Sequence, residues 1–223
     1  MPRPWTLIAS EPTAEGPLEL RQRGADFLIQ IRGRVLMNSA ARRSEEELAA
    51  LGLQHLDRAP TPRVLISGLG MGCTLRAALD LLPPRAAVDV VEINPVVSAW
   101  CRGPLAALNR DALLDPRVTV HTADVARVIK GADPGSYSAL VLDLYEGPHA
   151  ATQAVDDPFY GMGALARCRA ALMPGGVLTV WSEAADAAFE ARLRASGLQG
   201  TAHRLAAGGG AATHVVYRAT RSR

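Results

Sequence analysis

The chain has 223 residues, 48% of them hydrophobic, with 24 basic and 22 acidic side chains and a formal net charge of +2. That length suits one domain, or one domain with a small appendage, and the basic residues are spread too thinly to form a nucleic-acid footprint. Cys73, Cys101 and Cys168 stand far apart with no second ligand at metal spacing, so neither a zinc site nor a disulfide framework is expected, and no metal. The N-terminal stretch lacks the apolar core of a signal peptide and no apolar run approaches membrane-spanning length. The expectation is a soluble, cytoplasmic protein with no membrane or nucleic-acid partner.

In chain order, residues 5–9, 17–23, 26–31 and 34–37 alternate apolar and polar side chains, with Gly24 and Gly33 between them. They predict a small antiparallel β unit, too thin to hold a core alone. It must pack on the rest of the chain or on a second copy, and a homodimer is expected. Ser44 followed by Glu47 reads as a capping box, with a helix over 45–56 and Glu45, Glu46 and Glu47 as its solvated first turn. Residues 1–58 are thus expected to be a β unit plus linking helix, and residues 59–223, beyond the Ala59-Pro60-Thr61-Pro62 linker, the main domain.

The organising stretch is Arg63 to Pro95. Val64-Leu65-Ile66 is a short apolar run bounded by Pro62 and glycine, the pattern of a strand buried on both faces of a parallel sheet. Gly68, Gly70 and Gly72 follow, then an alanine- and leucine-rich helix from Thr74 that stops at Pro83-Pro84. A second buried run, Val88 to Ile93, carries Glu92 near its end. Glycines at these spacings allow a sharp turn and a close ligand, and the next helix offers free N–H groups and its positive dipole end. An acid about 20 residues on can accept hydrogen bonds from a ribose. The expected site is a nucleoside pocket at the carboxyl edge of the sheet.

Further on, Pro95 suits the first position of a helix. A third strand, Val118 to His121, leads to Asp124 and a helix to 130; a fourth, Tyr137 to Leu142, delivers Asp143 to the same edge. The irregular polar segment 144–158 reads as a functional loop. A helix over 159–172, capped by Asp156 or Asp157, precedes a tight turn at Met173-Pro174-Gly175-Gly176 and a strand from Val177 to Trp181. A helix over 184–195 and two strands near 201–205 and 214–218, separated by Gly208-Gly209-Gly210, predict a terminal antiparallel hairpin. Strands and helices alternating this regularly give an α/β class.

The segments SGLGMGCT, VEINP, DPRVTVHTAD, YSALVLDLYEGP and LMPGGVL, in this order, resemble the spermidine synthase family over nearly the whole chain. The resemblance implies a Rossmann-like class I methyltransferase fold: a doubly wound, mostly parallel seven-stranded sheet with a small N-terminal β unit. It implies a nucleoside of the S-adenosylmethionine type, held by Gly68, Gly70 and Gly72 below the sulfonium and by Glu92, with Ile93 beside it, at the ribose. Asp124 would take the adenine amino group with Val125 along the ring. Asp143 matches the catalytic aspartate that orients an acceptor amine and takes its proton, and Glu146 the acid for the far end of a diamine.

Two departures bear on the donor. The family's aspartate inside the glycine loop, which grips the aminopropyl nitrogen of decarboxylated S-adenosylmethionine, is Met71 here, which favours intact S-adenosylmethionine. The family's glutamine and tyrosine-histidine-glutamate stretch has no counterpart in NSAARRSEEELAALGL. The expectation is a transferase that methylates a small amine-bearing acceptor, with Asp143 as the base and Tyr145, Glu146 and His149 lining the acceptor pocket. The alternatives are an aminopropyltransferase using the decarboxylated donor and a non-catalytic nucleoside-binding protein. His121 and Cys73 read as packing residues, and Trp181 as core or pocket wall.

Overall fold

The computed structural model describes residues 3–152, 154, 156–206 and 213–222. Four strands open the chain: β1 (Thr6–Thr13), β2 (Gly16–Arg23), β3 (Asp26–Ile31) and β4 (Arg34–Asn38), an antiparallel sheet in sequence order. Then come α1 (Arg43–Leu53), β5 (Arg63–Ser67), α2 (Cys73–Leu81), β6 (Ala87–Glu92), α3 (Pro95–Arg102), the single turn α4 (Ala106–Asn109) and β7 (Val118–Thr122). The remainder is α5 (Val125–Lys130), β8 (Tyr137–Leu142), α6 (Met162–Ala171), β9 (Leu172–Ser182), α7 (Ala187–Ala195), β10 (Leu198–Ala206) and β11 (Thr213–Arg221).

The main sheet has the order β10-β11-β9-β8-β5-β6-β7. β5 through β9 pair in parallel, while β11 runs antiparallel to both β9 and β10. The central strands are those with the least polar sequences: Val64, Leu65 and Ile66 of β5 and all six residues of β8 are buried. Alternation sorts β5 between two apolar layers, Val64 and Ile66 joining one with α1, α2 and α3, and Leu65 the other with α6 and α7. The chain moves outward through β5, β6 and β7, then returns to β8 on the other side of β5. A crevice therefore opens where β5 and β8 end, at the point of reversal. This is the class I methyltransferase-like fold.

The small sheet is continuous with the first layer, since Leu18, Leu20, Phe27, Ile29 and Ile31 share its apolar cluster with Val64 and Ile66. Between them, α1 packs on α2 and across β8, β9 and β11. Its Gly52 lies so close to the sheet that a Cβ there would come within 2.9 Å of Thr179 Oγ1.

Several sequence expectations change. The capping box does not form: α1 starts at Arg43 after Arg42, with no side-chain cap, and ends at Leu53 in a 3₁₀ turn over Gln54–Leu56. Ser44 lies inside the first turn, and its hydroxyl donates to Glu45 Oε2 at 2.7 Å instead. The turn expected at 173–176 is part of β9, which bulges there, its pairing with β8 slipping between Tyr137–Leu172 and Ala139–Val177. The helix expected from 159 begins at Met162. Asp157 caps the preceding turn, accepting from the Phe159 and Tyr160 N–H groups at 2.9 and 2.6 Å. β10 and β11 do pair as an antiparallel hairpin, while Gly208-Gly209-Gly210 lies outside the described residues. No helix among the described residues is long and apolar enough to cross a membrane.

Candidate active site

A cavity of about 310 Å³ occupies the crevice, within the range of small-molecule sites. Its floor is the carboxyl edge of the sheet: Gly68 and Gly70 after β5, Glu92, Ile93 and Asn94 after β6, Ala123, Asp124 and Val125 after β7, and Asp143, Leu144 and Tyr145 after β8. Its roof is the inner face of the small sheet, namely Leu18, Ile29, Leu36 and Met37. Glu45 of α1, Phe159 and Trp181 close the sides.

The glycine turn has a physical cause that differs from its sequence reading. All three glycines sit in the left-handed region, Gly68 at φ 81°, Gly70 at 50° and Gly72 at 81°. What crowds each is another part of the protein. A Cβ on Gly68 would fall 2.0 Å from the Asp143 carbonyl oxygen, on Gly70 2.2 Å from Met37 Sδ, and on Gly72 2.9 Å from Asn109 Cβ. The turn therefore brings the β8 tip, the small sheet and α4 together. Gly72 ends it as the residue before α2 and does not line the cavity. Met71 also points away, only 1% exposed within the apolar core.

Glu92 is 8% exposed and fixed by two backbone donors: its Oε2 accepts from the Leu69 N–H at 3.0 Å and its Oε1 from the Asn94 N–H at 2.8 Å. Each carboxylate oxygen keeps a further lone pair for a ligand hydroxyl. Ile93, 64% exposed, lines the cavity and offers it apolar surface. Asp124 is the N-cap of α5, its Oδ1 accepting from the Ala126 N–H at 2.8 Å, while the residue still lines the cavity.

Asp143 faces the same space. Burial pushes its carboxyl up from near 3.8 to about 7; the Glu45 charge adds to the rise, and the Thr74 hydroxyl, donating to Oδ2 at 2.5 Å, opposes it. Glu45 itself is raised, first by burial, with the Ser44 hydroxyl bond acting in the opposite sense. Its placement corrects the sequence reading of a solvated acidic turn. The signal was present: Glu45 heads the helical stripe of Leu48, Ala49, Gly52 and Leu53, all buried.

The loop after β8 divides its residues. Tyr145 lines the cavity, with Arg34 stacked 4.7 Å from its ring centroid. Glu146 and His149 do not line it: Glu146 Oε1 accepts from Arg34 at 3.1 Å and its Oε2 lies 3.1 Å from His149 Nε2. Glu146 sits at φ 62°, which turns its side chain out toward β4. Trp181 stacks edge-on against His214 at 5.1 Å, and its buried Nε1 has no hydrogen-bond partner among the described residues. Away from the cavity, His121 Nε2 meets Asp89 at 2.8 Å, a pairing shared with Arg63 and Tyr137 on the sheet face. Burial pushes the Cys73 thiol up to about 12, so packing governs it despite its place at the start of α2. Among the described residues no group of three potential metal ligands comes together.

No protein-family model matches the chain. It is 34% identical over 157 residues to the polyamine aminopropyltransferase 2 of Streptomyces coelicolor, covering 66% of this chain and 27% of that protein. It is 37% identical over 127 residues to the putrescine N-methyltransferase 1 of Nicotiana tabacum, covering 56% and 32%. The structure superposes on spermidine synthase from Thermotoga maritima with a TM-score of 0.76 and 16% identity, over 97% of this chain and 72% of that one. The fold is spermidine-synthase-like. A spermidine synthase complexed with the transition-state analogue AdoDATO matches with a TM-score of 0.74 at 17% identity, again over 97% of this chain. The chain spans about a third or less of the curated relatives it matches.

Proposed function

We propose that the protein is a polyamine-modifying transferase: it alkylates a small amine using a nucleoside sulfonium donor of the S-adenosylmethionine type. The observation that carries this reading is the charge of the cavity. Among the described residues its wall includes the carboxyls of Glu45, Glu92, Asp124 and Asp143 and no lysine, arginine or histidine. Such a wall suits a donor and an acceptor of net positive charge, and it disfavours substrates of net negative charge such as phosphates. Two curated relatives carry names for amine aminopropylation and amine methylation, which supports the same class.

The residues fit the donor in two halves. Glu92, held in position by the Leu69 and Asn94 N–H groups, would take ribose hydroxyls, and Ile93, Ala123, Val125 and Asp124 would receive the adenine. The donor brings an already activated carbon on sulfur, so the protein's work is positioning and exclusion of water. Asp143, between the two halves, would orient the acceptor nitrogen. The acceptor reaches the site as an ammonium and passes one proton to the Asp143 carboxylate. Its lone pair forms the new C–N bond as the C–S bond breaks, and the electron pair leaves with sulfur as a neutral thioether. The product nitrogen carries the remaining positive charge. A carboxyl whose value lies near 7 suits that transfer.

For the group transferred, the reading is methyl from intact S-adenosylmethionine. Met71 lies in the core, so the glycine loop brings no carboxylate toward the end of the donor, where an aminopropyl ammonium would need one. Aminopropyl transfer is the second reading, favoured by the wider coverage of the match to the aminopropyltransferase. Calorimetry with S-adenosylmethionine and its decarboxylated form separates them. Micromolar binding of the intact form is expected; binding of the decarboxylated form alone overturns methyl transfer, and binding of neither overturns the transferase reading.

A further inference from the structure

The sequence resemblance assigns the far-end acid of the acceptor to Glu146, and the structure gives Glu146 other work. Both of its carboxylate oxygens are engaged, one by Arg34 and one by His149, and it lies outside the cavity wall. The acceptor side of the cavity nevertheless keeps a second acid, and it comes from a different element.

We infer that Glu45 is the specificity-determining residue for the acceptor. With Asp143 it receives the ammonium of an aliphatic amine whose chain lies against Leu18, Ile29, Leu36 and Met37. The inference rests on the transferase reading and deepens it by naming the acceptor class.

Three observations carry it. Glu45 lines the cavity from the buried stripe of α1, a position fixed by the packing of Leu48, Ala49 and Leu53. Its Oε2 is braced by the Ser44 hydroxyl, so the carboxylate is held in place. Asp143 is braced likewise by Thr74 from α2, the helix on which α1 packs. The two acids sense each other, the charge of Glu45 raising the proton affinity of Asp143, and among the described residues no basic side chain in the cavity wall neutralises them. A cation between them removes that repulsion, whereas a neutral hydroxyl or an anion does not. The third observation is the roof. Leu18 and Ile29 are buried, Leu36 and Met37 half-buried, and all four face the cavity, so they offer apolar surface to the part of the acceptor beyond its ammonium. One charged end beside an alkyl chain is the chemistry of a short aliphatic amine.

The test uses the full chain and two probes, n-butylamine and 1,4-diaminobutane, titrated calorimetrically into protein saturated with S-adenosylhomocysteine. Wild type is compared with Glu45→Gln and Glu45→Asp. Expected are amine binding to wild type, a loss of at least tenfold in Glu45→Gln, and partial recovery in Glu45→Asp, with nucleoside affinity within twofold throughout. Retained nucleoside affinity also shows that the variants fold. Equal amine affinity in wild type and Glu45→Gln overturns the inference, as does a wild type that binds the nucleoside but neither amine. In both cases the nucleoside site survives. Failure of the wild type to bind any adenosyl nucleoside refutes the transferase reading itself.

Discussion

Replacing Asp143 by Asn should make the protein more stable at pH 8 and leave it little changed near pH 4. The folded state raises this carboxyl from near 3.8 to about 7, chiefly through burial and secondarily through the Glu45 charge. At 1.36 kcal/mol for each decade of proton affinity, the ionised group opposes folding by about 4 kcal/mol. The sign follows from proton counting. Between about pH 4 and pH 7 the folded protein holds a proton that the unfolded chain has released, so wild-type stability falls as pH rises through that window. Asn keeps an oxygen to accept from Thr74 and has nothing to ionise. Urea unfolding of both proteins from pH 4 to pH 8 should show the variant's advantage opening with pH and levelling off above 7. An advantage constant with pH, or a wild type that gains on the variant, would refute the argument. The same substitution should abolish turnover, because the amine loses both its orienting charge and its proton acceptor.

Glu45→Gln should narrow that stability gap, since it removes the second cause of the rise in Asp143, and difference titration of Asp143 would then show a lower midpoint. Gly68→Ala places a methyl 2.0 Å from the Asp143 carbonyl oxygen at a φ of 81°, where only backbone movement relieves it. A loss of at least about 2 kcal/mol in denaturant unfolding is expected. Gly70→Ala meets only the flexible end of Met37, so its stability loss should stay near 1 kcal/mol, the strain of a left-handed residue, and appear mainly as altered acceptor binding. Leu7 and Ile8 of β1 and Val35 of β4 are 46%, 40% and 49% exposed, and we expect a homodimer through the small sheet. Sedimentation should show a dimer at micromolar concentration and a monomer for Leu7→Lys combined with Val35→Lys; a monomeric wild type would refute it.

The central sheet was legible because its strands are fully buried, so their apolar runs, ending in Glu92, Asp124 and Asp143, stand out in one dimension. The helix limits were less so. Ser44 and Glu47 satisfy a capping pattern, yet the helix starts at Arg43 and Ser44 lies inside it, its hydroxyl spent on Glu45. Pro174 and two glycines look like a turn, but an extended bulge also accommodates them, and pairing with β8 decides between the two. Local sequence cannot say which way a loop carboxylate faces. Glu146 follows Asp143 by three residues, yet a positive φ and an arginine from β4 turn it outward. Glu45, nearly a hundred residues upstream, reaches the cavity because its helix stripe aims it there.

The two substrates are expected to meet different parts of the chain: the nucleoside the strand tips of the main sheet, the acceptor the underside of the four-stranded sheet and the head of α1. Selectivity for the second substrate can thus drift by exchange of the first fifty or so residues while the nucleoside half stays constant. A chimera carrying another hairpin unit and α1 on β5 to β11 is expected to keep its donor and change what it alkylates, provided the side chain brought in at Met37 still fits over Gly70.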